Sequence, residues 1–213
     1  MNERPILMRG PLVIASLENR KTQTRRVVIP TQRTPRVAPL RMEPWLIDGV
    51  QETDDQGLPC WAGFHPDYPG EAKWFSCPYG KVGDRLWVRE TWARHPDCGG
   101  ILYRATDPGW DDNDYGIKWK PSIHMPRWAS RLTLEIIGVR VERVQEISLD
   151  DMRAEGVRPT TEASLLWRET LRENFIALWD SINAKRIGCS WDVNPWVWAI
   201  SYRRIAQPTE RSV

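Results

Sequence analysis

Pro11-Leu12-Val13-Ile14-Ala15-Ser16-Leu17-Glu18-Asn19-Arg20-Lys21-Thr22-Gln23-Thr24-Arg25-Arg26-Val27-Val28-Ile29 reads as helix, turn and strand in immediate succession, and the other elements arrange themselves around it. Pro11 suits a first helical position, where its missing N–H is not needed and its φ is already helical. Apolar Leu12, Val13, Ile14, Ala15 and Leu17 follow, and the helix is expected to end near Glu18-Asn19-Arg20. From Thr22 the chain is rich in β-branched residues until Pro30 stops it, which predicts a strand. Alternate side chains of a strand share a face, so Thr22, Thr24 and Arg26 point one way while Lys21 approaches from the turn.

The cluster Lys21-Thr22-Gln23-Thr24-Arg25-Arg26 brings an amine, two hydroxyls and two guanidiniums together. A lysine beside a threonine hydroxyl acts as its general base once burial or nearby cations depress its pKa, because only the neutral amine accepts a proton. Arg25 and Arg26 suit a phosphate, whose oxygens match the guanidinium fork. A solvated basic turn is the plainer reading of the same residue types.

With 213 residues the chain suits one domain, 1–213, with insertions. A net charge of +2 provides no global field for nucleic acid, but nine Lys/Arg against two acids fall within the first 41 residues, around the cluster. No apolar run approaches membrane-spanning length and the N-terminus lacks a signal-like apolar region, so a cytoplasmic protein without membrane contact is expected. Cys60, Cys77, Cys98 and Cys189 are irregularly spaced, as reduced thiols are. Cys60, His65 and Cys77, with Cys98 or His95 as a fourth ligand, are the zinc candidate. No CxxC pair is present, and the expectation is no metal and no cofactor.

Pro30 to Gly80 is proline-rich with little periodicity, and predicts a long irregular insertion wrapped on the surface. A second insertion is expected from His95 to about Pro126. Between them Gly83-Asp84 makes a turn and Arg85 to Trp92 alternates as a strand. Leu132, Leu134, Ile136, Val139 and Val141 predict a long strand with a bulge or bend at Gly138. Ser148 caps a short helix over 147–156 with Asp150 and Asp151 in its first turn and Gly156 as its stop. A longer helix is expected over 162–184, with Leu165, Leu166, Leu171, Phe175, Leu178, Trp179 and Ile182 at helical spacing. Trp196 to Ile205 closes the chain as a strand. These elements make an α+β fold, with a small closed or half-closed barrel to cover the strand edges.

Of the 13 tryptophans, Trp87, Trp92, Trp196 and Trp198 sit where strand patterns put core residues. Trp45, Trp61, Trp74, Trp110 and Trp119 lie in irregular stretches, where they anchor loops or stack on a base. Such insertions also suit a protein partner.

Lys21-Thr22-x-Thr24-x-Arg26 after a helix, Gly83-Asp84 opening a strand, Ile147-Ser148 leading to Ala154-Glu155-Gly156, and a last strand after a long helix together resemble the ASCH domain. With Cys77-Pro78-Tyr79-Gly80 and Trp87-Val88-Arg89-Glu90-Thr91-Trp92, the chain resembles the longer members carried by phages and prophages. The resemblance implies a PUA-like β-barrel with flanking helices, and two insertions, at about 30–80 and 95–126, that compact members lack. It implies RNA or modified-nucleotide binding, with Thr22, Arg25, Arg26 and Arg89 as ligand contacts. It also implies, as an alternative, an amidohydrolase that deacylates N4-acetylcytidine-type nucleosides. Carried over through the motif, Thr24 is then the nucleophile, Lys21 its base, and Glu155 the group that orients the lysine or protonates the leaving amine. Asn19 stands where a glycine is usual, and asparagine tolerates the same backbone angles.

Overall fold

A computed structural model describes residues 1–28, 41–44, 46–47, 50–64, 72–110, 116–160 and 165–205. Helix α1, Gly10–Leu17, carries Pro11 at its second position and buries Val13, Ala15 and Ser16. It ends where Asn19 turns to φ 57° and the amides of Arg20 and Lys21 both donate to Ala15 O, at 2.8 and 3.0 Å. An asparagine enters this left-handed region at little cost, so the substitution for glycine leaves the turn intact.

The strands are β1 (Glu3–Leu7), β2 (Gln23–Val27), β3 (Arg41–Pro44), β4 (Leu46–Ile47), β5 (Val50–Gln51), β6 (Cys60–Phe64), β7 (Ala72–Ser76), β8 (Arg85–Arg89), β9 (Trp92–Arg94), β10 (Ile101–Tyr103), β11 (Thr133–Arg143) and β12 (Trp196–Ile205). Two further helices are α2, Leu149–Ala154, and α3, Trp167–Asn183. The principal sheet runs β1-β8-β11-β12-β2, with β1 parallel to β8 and the other pairings antiparallel. Its β11–β12 register shifts between Ile136 and Gly138, where the sequence places the bulge. The Gly83-Asp84 turn docks on that irregularity: Gly83 N donates to Ile136 O and Ile136 N to Asp84 O, both at 2.9 Å.

Strand β12 separates two cores. Trp198, Ile200 and Tyr202 face the larger one, with Ile6, Val13 and Leu86, whereas Val197 faces a smaller one built with Leu171, Phe175 and Trp179 of α3. Those α3 residues, with Asn183, recur every fourth position and form the buried stripe. The helix begins later than its sequence pattern suggests: Leu165 and Leu166 are exposed before it, and 161–164 lie outside the described residues.

The proline-rich stretch is more ordered than its sequence suggests. Strands β3, β6 and β7 form a three-stranded antiparallel sheet, and β4 pairs with β5. The three-stranded sheet is not a surface wrapping, because Met42, Trp61 and Cys77 enter the larger core and Trp61 meets Trp198 edge-on at 4.9 Å. The second stretch holds β10, which pairs back on β9 as a hairpin, and a short 3-10 turn at Ser122–His124, with another just after it at Arg127–Ala129. Trp87 departs from its expected core position, since the inward face of β8 is taken by Leu86 and Val88. Trp196 is half-buried against the same core. The fold is α+β and mostly strands, but the described strands make open sheets, and no closed barrel forms among them. Among the described residues no helix is long and apolar enough to cross a membrane.

Candidate functional site

Lys21 is held where the end of α1 meets the end of α2. Lys21 and Glu155 form an isolated antiparallel bridge, and Thr22 N donates to Ala154 O at 2.8 Å. Gly156, at φ 88°, allows this approach: a Cβ there would lie 2.9 Å from Ala15 Cβ and 3.1 Å from Lys21 Cβ. Any side chain would push the two helix ends apart.

The Lys21 side chain is fully buried. Its Nζ donates to Glu155 Oε2 at 2.5 Å, Gln23 O at 2.7 Å and Glu155 O at 3.0 Å, which uses all three ammonium hydrogens. Burial pushes the lysine pKa below its ordinary value; the Glu155 carboxylate opposes that, and the Arg26 and Arg25 charges add to it. The fold thus brings together two of the residues singled out from the sequence, 134 positions apart in the chain.

Thr24 is buried on β2 opposite Ile200 and lines a cavity of about 370 Å³ together with Glu155. Leu7, Arg26, Tyr79 and Trp179 supply further walls. Arg26 donates through Nη2 to Leu7 O at 2.5 Å, and its Nε is buried without a partner among the described residues. Beneath the site, the Tyr202 hydroxyl lies 3.4 Å from Ser16 Oγ, and burial raises its pKa.

Arg25 also lines the cavity, and its guanidinium is bound by protein groups. Its Nε donates to Glu142, its Nη1 to Gln23 Oε1 and Glu155 Oε1, and its Nη2 to Asp151. Arg140 also reaches Glu142 and Asp151, so β2, β11 and α2 share one network of charges. Burial works to raise the Asp151 pKa, yet the Gln23 hydrogen bond and the Arg140 and Arg25 charges hold it below the ordinary value. Of the basic side chains expected around the cluster, Arg20, Lys21 and Arg25 are thus paired with acids, whereas Arg4, Arg9 and Arg26 bond to neutral oxygens and keep their charge uncompensated there. Arg20 pairs with Glu18, and Arg4 and Arg9 reach Pro78 O and Ser181. Arg33 and Arg36 lie outside the described residues.

Thr22 is exposed and acts through its backbone, its carbonyl accepting from Tyr202 N at 2.9 Å. Arg89 lies on β8 outside the cavity wall, donating to Ile123 O and stacked over Trp87 at 5.3 Å, with its Nε unpartnered among the described residues. Of the zinc candidates, Cys60 and Cys77 are buried thiols whose pKa values burial raises, that of Cys77 to about 11. A protonated core thiol is a poor metal ligand. His65 lies outside the described residues, and among those described no group of three or more His, Cys, Asp and Glu converges as a metal requires.

Sequence reasoning did not anticipate Glu142, Arg140, Asp151 or Tyr202 as members of this assembly. Asp151 was visible only as a first-turn acid of α2, a role it also fills, since its amide donates to Ser148 Oγ at 3.1 Å. Comparison with protein-family models, curated proteins and solved structures returns no match for this chain.

Proposed function

We propose that the cavity beside the Lys21–Glu155 pair binds a nucleoside or nucleotide, free or as part of RNA, in a PUA-like, ASCH-type domain whose barrel is half-open. The observation that carries this reading is the cavity itself. Its volume of about 370 Å³ lies within the range of about 300–1,000 Å³ for small-molecule sites. Aromatic and aliphatic walls from Leu7, Tyr79 and Trp179 suit a base, while Thr24, Arg26 and Glu155 supply the few polar groups that orient one. Neutralisation of Arg25 by acids favours a discrete ligand over broad polyanion binding. Isothermal titration with cytidine, uridine and adenosine monophosphates tests it: saturable binding weakened by Trp179→Ala is expected, and no heat from any member of the panel would overturn the reading.

A second reading, hydrolysis of an N4-acylated cytidine, is favoured by one specific observation. Glu155, 2.5 Å from the Lys21 ammonium, shares the cavity wall with Thr24. In the resting arrangement Lys21 is a donor to three acceptors, so it would accept the Thr24 proton only after Glu155 took one of its own. Acetate release from N4-acetylcytidine, followed by chromatography, is expected to disappear in Thr24→Val; equal turnover in that variant would remove the assignment.

A further inference from the structure

A second cavity, of about 560 Å³, opens where Arg20 just past α1, Arg153 in the last turn of α2 and the segment 156–160 come together. Its lining shares no residue with the cavity beside the Lys21–Glu155 pair. Three of its lining side chains are arginines, Arg20, Arg153 and Arg158, and none is an acid. In the neighbouring network guanidiniums meet carboxylates, with Arg25 and Arg140 sharing Glu142 and Asp151. Here, among the described residues, an acid answers Arg20 alone: Glu18, at 2.5 Å. Arg153 and Arg158 are exposed and form no ion pair or side-chain hydrogen bond among those residues.

The walls are held in place by the protein itself. Arg153 lays its guanidinium over Trp167, 4.4 Å from the ring centre, which leaves its N–H edges free to donate. The 156–160 segment is pinned to α3, because Asn174 Nδ2 donates to Arg158 O at 2.9 Å and to Thr160 Oγ1 at 3.3 Å. Between these two residues Pro159 is buried, and its ring fixes φ. As an acceptor from Asn174, the Thr160 hydroxyl keeps its own hydrogen for a further acceptor. Arg20 Nη1 donates to Gly156 O at 3.3 Å, tying the α1 side of the cavity to the α2 side.

We propose that this cavity binds an inorganic oligophosphate, of which pyrophosphate is the shortest, through Arg153, Arg158 and the Thr160 hydroxyl, with Arg20 as a supporting wall. Guanidinium forks match phosphoryl oxygens, and two unpaired forks on separate supports suit two linked phosphoryl groups better than one. The concave outline favours a compact anion over an extended chain. This site stands apart from the nucleoside reading of the other cavity and does not depend on it.

Pyrophosphate, orthophosphate and citrate are titrated into the full chain by calorimetry at low ionic strength. Saturable binding of one pyrophosphate per chain is expected, weakening as salt is added. It should be at least about 10-fold tighter than that of orthophosphate, which engages one fork, and tighter than that of citrate, which brings negative charge without phosphoryl geometry. Arg153→Gln and Arg158→Gln should each weaken pyrophosphate by about 10- to 100-fold. Both side chains are exposed, and unchanged melting temperatures establish that the variants fold; should Arg153→Gln melt lower through its lost stacking on Trp167, Arg158→Gln decides alone. Arg186→Gln, in the wall of the other cavity, should leave the affinity as it is. The site is overturned if pyrophosphate does not bind, if orthophosphate or citrate binds equally well, or if Arg186→Gln removes the binding while Arg158→Gln keeps it.

Discussion

At the scale of single residues, the decisive feature is an ammonium with no exposed surface. Lys21 has a side chain at 0 % exposure against 7 % for Glu155, so their 2.5 Å contact lies in a poorly solvated place. Forming such a pair brings little net stability, because each charge loses its hydration; breaking it leaves one charge stranded. Lys21→Met is therefore expected to cost about 3–5 kcal/mol, read by urea denaturation. The double variant Lys21→Met/Glu155→Leu should recover part of that loss, since it removes the stranded carboxylate as well. A single-variant cost below about 1 kcal/mol would mean that the pair is solvated and that the cavity floor is not held by it.

At the scale of elements, the sheet β3-β6-β7 docks on the principal sheet largely through Trp61 against Trp198, with both rings almost fully buried. Trp61→Ala is expected to cost about 3–5 kcal/mol. Hydrogen exchange should quicken across β6 and β7 well before β11 and β12; equal acceleration of both sheets would mean that they unfold as one unit. The same sheet explains what was legible in the sequence. Elements with local signals read correctly: α1 from Pro11, the β11 bulge from Gly138, and α2 from Ser148, whose hydroxyl accepts from Asp151 N. Strand β6 carries no such signal. Cys60 to Ala62 are buried on both faces, so the alternation that marks a half-buried strand is absent. Trp87 was misplaced for a related reason, because Leu86-Trp87-Val88 is apolar throughout and its parity cannot be read locally. In the site, Lys21 and Thr24 were legible as a cluster, and Glu155 only through the family resemblance. That Arg25 would be consumed by Glu142 and Asp151 was not legible, since partners more than a hundred residues away leave no trace in local spacing.

At the scale of the whole molecule, the fold brings a basic N-terminal segment against acids more than a hundred residues further along the chain. The net charge of +2 conceals this, because Lys21 and Arg25 are answered by Glu142, Asp151 and Glu155. The consequence is a stability that depends on pH in a defined direction. Asp151 has its folded pKa held below 3.8, so as pH falls the unfolded chain takes up the proton first. Its charge then contributes fully above about pH 5, and that contribution is lost as pH falls through the lowered folded value. Lys21 acts at the other end: its folded pKa lies below 10.5, the unfolded chain keeps the proton longer, and stability rises with pH across the interval beneath 10.5. Asp151→Asn isolates the acid side. At neutral pH, losing a partly exposed carboxylate that accepts from Gln23, Arg25 and Arg140 should lower the melting temperature by about 2–8 °C. As pH falls through the lowered folded value the same carboxylate is neutralised, so the melting temperatures of variant and parent should converge. Melting curves by circular dichroism across the acid range decide it. An offset that stays constant from neutral pH to pH 3 would show that Asp151 acts through packing and neutral hydrogen bonds, and that the charge network joining β2, β11 and α2 does not govern acid unfolding.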